Sequence, residues 1–205
     1  MVGVAWLAPT LHAQAPAATG SAGPGSAASA LAWSIPSLSP AKHRQSPAGP
    51  PVHLSIPAID VSRPLLRLGV NRDRTVQVPS PAHAELPGWF RLGPTPGETG
   101  SAVILGHVDS RSGPAVFHRL RFLESGDHVV VRRAGGTVSR FTVTKVVTYP
   151  NDEFPARKVY ASHGYAALNL VTCGGAYDPD TGYQANVVVY TRLADSATAR
   201  TASRS

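Results

Sequence analysis

The run HVVVRRAGGTVSRFTVTKVVTY, His128–Tyr149, holds two segments rich in β-branched residues, His128–Arg133 and Val138–Tyr149, on either side of Ala134-Gly135-Gly136. A branched Cβ loses χ1 freedom against a helical turn and packs well on a pleated surface, so valine and threonine at this density favour strands. Two successive glycines supply the positive φ angles a tight turn requires, and the two segments read as a hairpin. The same alternation of short apolar runs and turn residues extends in both directions. Upstream lie Val52–Ile59, Leu65–Val70 and Ala102–Leu105, with a turn at Ser125-Gly126-Asp127; downstream lie Ala167–Thr172 and Val187–Tyr190. With 19 Gly, 19 Pro and one Met in 205 residues, the chain favours many turns over long helices. The pattern is all-β, a closed sheet or a sandwich, and about 150 residues in seven or eight strands suffice for a barrel with a filled interior. Helix is expected only over Pro114–Leu123, where Val116, Phe117, Leu120 and Leu123 make a one-sided stripe, and as a short turn at Pro155–Ala161.

The length bounds the chain at one ordinary domain plus tails, which excludes a two-domain nucleotide enzyme. Lys+Arg number 19 against 12 Asp+Glu, a formal +7, while only 15% of residues are charged and 42% are hydrophobic. That composition folds, and its basic excess points to an anionic surface, either nucleic acid or an anionic envelope. Arg119, Arg121, Arg132, Arg133 and Arg140 are not interleaved with aromatics in any nucleic-acid module pattern, so no nucleic-acid partner is expected. The single cysteine, Cys173, excludes a disulfide framework and a zinc site built on several thiolates.

Residues 1–50 contain no acidic residue and are dominated by Ala, Pro, Gly and Ser, a composition that buries too little apolar area to order itself. We expect a disordered linker there. Val2–Ala8 is apolar and Ala13-Gln14-Ala15 has the small-x-small form of a signal-peptidase site, although no Lys or Arg precedes it. The stretch is shorter than the roughly 20 residues that span a bilayer. The start therefore reads as a minimal signal peptide or as part of a longer membrane anchor. The expected organisation is a signal-like start and linker over 1–50, a folded domain over 51–193 and a polar, frayed tail over 194–205.

Two strand ends carry candidate chemistry. Cys173 directly follows the apolar run Leu168–Thr172 and directly precedes Gly174-Gly175, glycines that let a substrate backbone approach closely. In Val103-Ile-Leu-Gly-His107, an apolar strand again ends in glycine and presents a histidine to a polar loop. An unperturbed thiol is only about 3% thiolate at pH 7, and a histidine can supply the missing base. The pair works only if the two strands are neighbours in the sheet. Taken alone, Cys173 could be inert core filling and His107 an ordinary loop residue.

Taken together, GHVDSRSGPAVFHRL (Gly106–Leu120), LESGDHVVV (Leu123–Val131), YPNDEFPARKVY (Tyr149–Tyr160) and LNLVTCGGAYDPDTGYQANVVVY (Leu168–Tyr190) resemble a sortase, specifically class F from high-GC Gram-positive actinobacteria. The resemblance spans roughly Val52–Leu193. It implies a closed eight-stranded β-barrel and a cysteine transpeptidase on the extracellular side of the cell membrane or in the cell wall. Such an enzyme cleaves a Leu-Pro-x-Thr-Gly-like sorting signal, holds the acyl group as a thioester and passes it to an amine. The implied partners are secreted proteins bearing a C-terminal sorting signal and a peptidoglycan precursor or other amine acceptor, with membrane association through the N-terminus and no cofactor. By motif, Cys173 is the nucleophile and His107 the acid/base. The family's third catalytic group is an arginine near the start of the strand after the cysteine loop, where this chain reads Tyr183-Gln-Ala-Asn186-Val187. Arg119 is the preferred replacement because it follows the His107 loop. Arg192 and Asn186 are the alternatives, Asn186 as a neutral donor.

Other readings are weaker. No phosphate loop precedes a helix. His107-x-Asp109 lacks a third metal partner at recognisable spacing, so no metal is expected. A wall-active transpeptidase acting on stem peptides would favour Ser-x-Gly-Cys-x-Arg around the nucleophile, whereas this chain has Leu-Val-Thr-Cys-Gly-Gly. A secreted β-barrel binding module with an inert thiol is the remaining alternative.

Overall fold

The computed structural model describes residues 48–198. In chain order the strands are β1 (Pro51–Ile56), β2 (Val61–Pro64), β3 (Leu66–Leu68), β4 (Gly88–Phe90), β5 (Gly100–Leu105), β6 (Asp109–Ser110), β7 (Gly113–Pro114), β8 (His128–Arg133), β9 (Thr137–Pro150), β10 (Ala166–Asp178) and β11 (Gly182–Thr198). One short helix, α1 (Ala156–Tyr160), follows β9 at the expected short turn. Nine strands form one sheet in the order β2-β1-β8-β9-β11-β10-β5-β4-β3, and β6 and β7 pair separately. The two edge strands, β2 and β3, are consecutive in the chain and separated by Leu65 alone, so the polypeptide itself links the edges and the barrel is nearly closed. Counted as one stretch broken at Leu65, they make the eight strands the resemblance implied. Closure removes the unpaired backbone groups that an open sheet would present to other chains.

Side chains alternate across the sheet and divide the core in two. Leu168 and Leu170 of β10 point into the barrel with Leu54, Ile104, Phe141 and Val189. Val171 of β10, with Leu105 and Val188, packs on the opposite face beneath Phe90 and the α1 residues Val159 and Tyr160. Each such side chain, fully buried, contributes about 1.5–3 kcal/mol. Arg133 is itself buried, pairs with Glu98 at 3.3 Å and donates through Nε to Gly49 O at 2.9 Å, which ties the first described residues to β8.

Three local expectations change. The β8–β9 hairpin forms, but only Gly136 has a positive φ, 80°. Gly135 is needed for space instead, since a Cβ there would lie 2.8 Å from Ala48 O. Pro114–Leu123 is not an α-helix: Pro114 ends β7 and only Leu120–Phe122 forms a 3-10 turn. The backbone N–H groups of Val116 and Phe117 donate to Ala84 and His107 instead of to a preceding helical turn, while Phe117, Leu120 and Leu123 still enter the core. Finally, β11 continues past Ala194 to Thr198 because β9 offers partners as far back as Thr137. Asp195 sits 3.9 Å from Arg140 and Ser196 bonds Ser139 at 3.2 Å. The signal-like start, almost all of the linker and residues 199–205 lie outside the described residues.

Candidate active site

β5 and β10 run parallel and adjacent, with Leu105 opposite Val171 as the last registered pair. The Gly106 N–H extends the ladder one step by donating to Val171 O at 3.2 Å. Two residues beyond that pair, along the two strand directions, come His107 and Cys173. The strand neighbourhood that the sequence required is therefore present. Gly106 is obligatory here, because a Cβ would meet Phe117 at 2.6 Å and Val116 at 2.8 Å. The same Phe117 pins the loop by donating its N–H to His107 O at 2.9 Å.

His107 is 9% exposed and its Nε2 lies 2.7 Å from Pro79 O. A carbonyl oxygen only accepts, so Nε2 carries a hydrogen and Nδ1 is the nitrogen free to exchange a proton. Cys173 is 5% exposed and clusters with Val108 against Val78 and Tyr183. Burial first, and the negative charge of Asp109 second, push its thiol up to about 12, against a smaller downward pull from a backbone hydrogen bond. At neutral pH the resting sulfur is thus a thiol, and a base must remove its proton for it to attack. The Asp109 carboxylate accepts a short hydrogen bond from the Tyr183 hydroxyl. Burial and that same carboxylate hold the Tyr183 phenol above its ordinary range.

After Cys173 the ladder shifts register between Gly174 and Tyr177, a β-bulge in which Gly175 takes φ +76°. A Cβ on Gly174 would stand 2.7 Å from Val187, so both glycines answer to the packing of β11. Directly opposite Cys173 on β11 is Asn186, which is fully buried. Its Nδ2 donates to Asn151 Oδ1 at 2.7 Å, and Asn151 Nδ2 donates to Tyr183 O at 2.7 Å. This relay fixes the amide orientation and leaves Asn186 Oδ1 buried without a partner.

The two arginines stand elsewhere. Arg119 pairs with Asp60 at 2.7 Å and its side chain is 52% exposed. Arg192 stacks over the Tyr165 ring at 4.0 Å, six residues along β11 from Asn186, which is roughly 20 Å of strand. Sequence reasoning passed over Tyr183, Asn151 and Pro79 as site residues, and read Asp109 only as a failed metal ligand. Among the described residues there is no group of three His, Cys, Asp or Glu able to hold a metal. No helix among them is long and apolar enough to cross a membrane.

Residues 54–194 match the family described as Sortase domain. Among solved structures, the fold is similar to sortase A of Listeria monocytogenes, with a TM-score of 0.53 and 19% identity over 71% of this chain and 87% of that one. Sortase A of Corynebacterium diphtheriae, a lid mutant, gives 0.55 and 19% over 71% and 70%. Sortase C1 of Streptococcus agalactiae in complex with MTSET gives 0.54 and 18% over 70% and 68%. At these identities the likeness is one of fold. No curated protein matches the chain.

Proposed function

Because this chain belongs to the sortase family, we propose that it is a class F cysteine transpeptidase that anchors secreted proteins to the cell wall. Its substrates carry a Leu-Pro-x-Thr-Gly-like signal, and its acceptor is an amine of a peptidoglycan precursor or an equivalent group. It works on the extracellular side of the cell membrane or in the cell wall.

In this reading His107 Nδ1 takes the Cys173 proton as the sulfur attacks the threonyl carbonyl. The S–C bond forms, the C–N bond to glycine breaks, and the same proton goes from Nδ1 to the departing amine. An incoming amine then attacks the thioester and gives its proton to Nδ1, and the sulfur leaves and is reprotonated. One titrating group serves both halves. For the third role we favour Asn186 over Arg119: Asn186 faces Cys173 in register, whereas Arg119 would first have to leave Asp60. The observation that supports the whole reading is the parallel β5–β10 register, whose last pair, Leu105 and Val171, lies two residues before His107 and Cys173.

The test is cleavage of a peptide library built on the sorting signal, with mass identification of the adduct and hydroxylamine as acceptor. Cys173→Ala is expected to abolish cleavage and transfer, and His107→Ala nearly so. Asn186→Ala should lower kcat by about 10²–10³, the usual cost of a lost oxyanion donor. Arg119→Ala should stay within about twofold, worth about 0.4 kcal/mol of barrier. Turnover by Cys173→Ala at the wild-type rate would refute the mechanism. The burial of Cys173 favours one other reading, a barrel-shaped binding module with an inert thiol, which would be selected if iodoacetamide failed to modify the folded protein and no peptide were cleaved.

A further inference from the structure

The sheet face that carries Cys173 also carries a cavity of about 500 Å³, formed where β9, β11 and β10 lie side by side. The register sets Lys145, Tyr190 and Asn169 in one cross-strand row, with Arg192 and Ala167 paired two positions further on. Asn169 precedes Cys173 by four residues, roughly 13 Å along the strand, so the cavity is separate from the thiol's surroundings. A register shift between Tyr190 and Thr191 leaves Thr144 unmatched on β9, and both Thr144 and Lys145 are exposed in succession. A bulge that turns an extra side chain outward is a common way to build a site on a sheet.

The charge of this cavity is one-sided. Lys145, Lys158, His163 and Arg192 line it, and no Asp or Glu does. The Lys145 and Lys158 ammonium groups both stand within 5.4 Å of the same ring, that of Tyr190. Arg192 lies over Tyr165, which His163 stacks against at 5.9 Å. Among the described residues, none of the ion pairs involves Lys145, Lys158 or Arg192. Two ammonium groups held at one aromatic ring repel each other, and the ring quadrupole offsets this without neutralising the charge. An anion seated among them would bond to both and relieve the repulsion.

We propose that this cavity binds a phosphate-bearing ligand. Three converging cations match a group of two negative charges and several acceptor oxygens better than a single carboxylate. The tyrosine rings hold the cations in position before the ligand arrives, and the basic excess of the chain acquires a specific seat here. The proposal does not depend on the transpeptidase reading.

The experiment titrates the full chain with inorganic pyrophosphate at fixed ionic strength, followed by amide NMR shifts. Saturable shifts are expected at residues 144–145, 158–165 and 190–192. The variant Lys145→Gln, Lys158→Gln, Arg192→Gln should bind about tenfold more weakly or worse, the scale of losing charge-assisted hydrogen bonds. The control Arg72→Gln, Arg132→Gln, Arg140→Gln loses the same net charge and should bind within about twofold of wild type, allowing only for long-range screening. Equal weakening in both variants, absence of saturation, or shifts mapped to another face would overturn the proposal. If the triple variant loses its native NMR spectrum, Lys145→Gln and Lys158→Gln are read singly. Two further arms distinguish the source of the phosphate. Cosedimentation with phosphatidylglycerol but not phosphatidylcholine vesicles, lost in the cavity variant alone, supports a lipid headgroup; binding of a soluble glycerol-phosphate oligomer with the same mutational pattern supports a free polymer.

Discussion

Replacing Asp109 by Asn tests the electrostatics around Cys173 most directly. The thiol moves from 9.0 to about 12, with burial the larger cause and the Asp109 carboxylate the second. Removing the second cause but not the first should return about one unit of that shift, which is about 1.4 kcal/mol and a tenfold gain in thiolate at any pH well below the pKa. The sign follows from charge: a carboxylate disfavours a second nearby anion, so its removal lowers the thiol pKa. A less basic thiolate is also less nucleophilic, by about threefold per unit, so the net gain in reactivity is about threefold. Iodoacetamide is uncharged and does not itself respond to Asp109. Because Cys173 is the sole cysteine, intact mass reports its alkylation without ambiguity. The rate at pH 8 should rise about threefold in Asp109→Asn, with Cys173→Ala as the blank. An unchanged or slower rate would refute the assignment of Asp109. A rise of tenfold or more would refute the dominance of burial.

Three other substitutions follow from the packing. Gly106→Ala forces a methyl against Phe117 and Val116 and should cost about 1–3 kcal/mol in denaturant unfolding, together with a large loss of turnover as the His107 loop shifts. Arg133→Ala removes a buried cation from Glu98 and from Gly49 O; with Glu98 partly exposed, a loss of about 3 kcal/mol is the upper end expected in the same assay. Trp89→Phe deletes the indole N–H that donates to Pro94 O at 3.1 Å in the core and should cost about 1–3 kcal/mol, read as a lowered Tm.

The strands legible in the sequence are those with dense β-branched runs, such as His128–Arg133, because their periodicity is local. β2, β4, β6 and β7 escaped notice because two to four residues with Pro, Gly or Ser carry no period, and only their partners make them strands. The stripe at Pro114–Leu123 misled in the opposite sense: its apolar residues do enter the core, yet its backbone donors are taken by Ala84 and His107. Cys173 and His107 could be paired from sequence because each follows an apolar run and adjoins glycine, although Cys173 lies inside β10 and not at its end. Tyr183 lies 74 residues from Asp109, and Asn151 lies 35 from Asn186, so neither contact leaves any local trace. The preference for Arg119 rests on its closeness in sequence to His107; in the structure that side chain is half-exposed and pairs with Asp60.

The missing arginine can be read twice, and the two readings agree. In sequence, the stretch Tyr183-Gln-Ala-Asn186 holds no cation. In the structure, the influences on the Cys173 thiol are burial, a carboxylate and a backbone hydrogen bond, with no positive group lowering it. A guanidinium beside the sulfur would pull the thiol down; with none there, the upward push of burial and Asp109 is not offset. The shift of three units lowers the resting thiolate population about a thousandfold, and the greater nucleophilicity of a more basic sulfur recovers only about thirtyfold of it. In the proposed transpeptidase the remaining deficit, about 2 kcal/mol, would be offset where charge develops on the acyl oxygen. Neutral amide dipoles can do this only in a site that excludes water, where each hydrogen bond counts for more. In the proposed reaction Asn186 would donate through its second Nδ2 hydrogen, the first being held by Asn151 Oδ1, and its burial would keep water from competing.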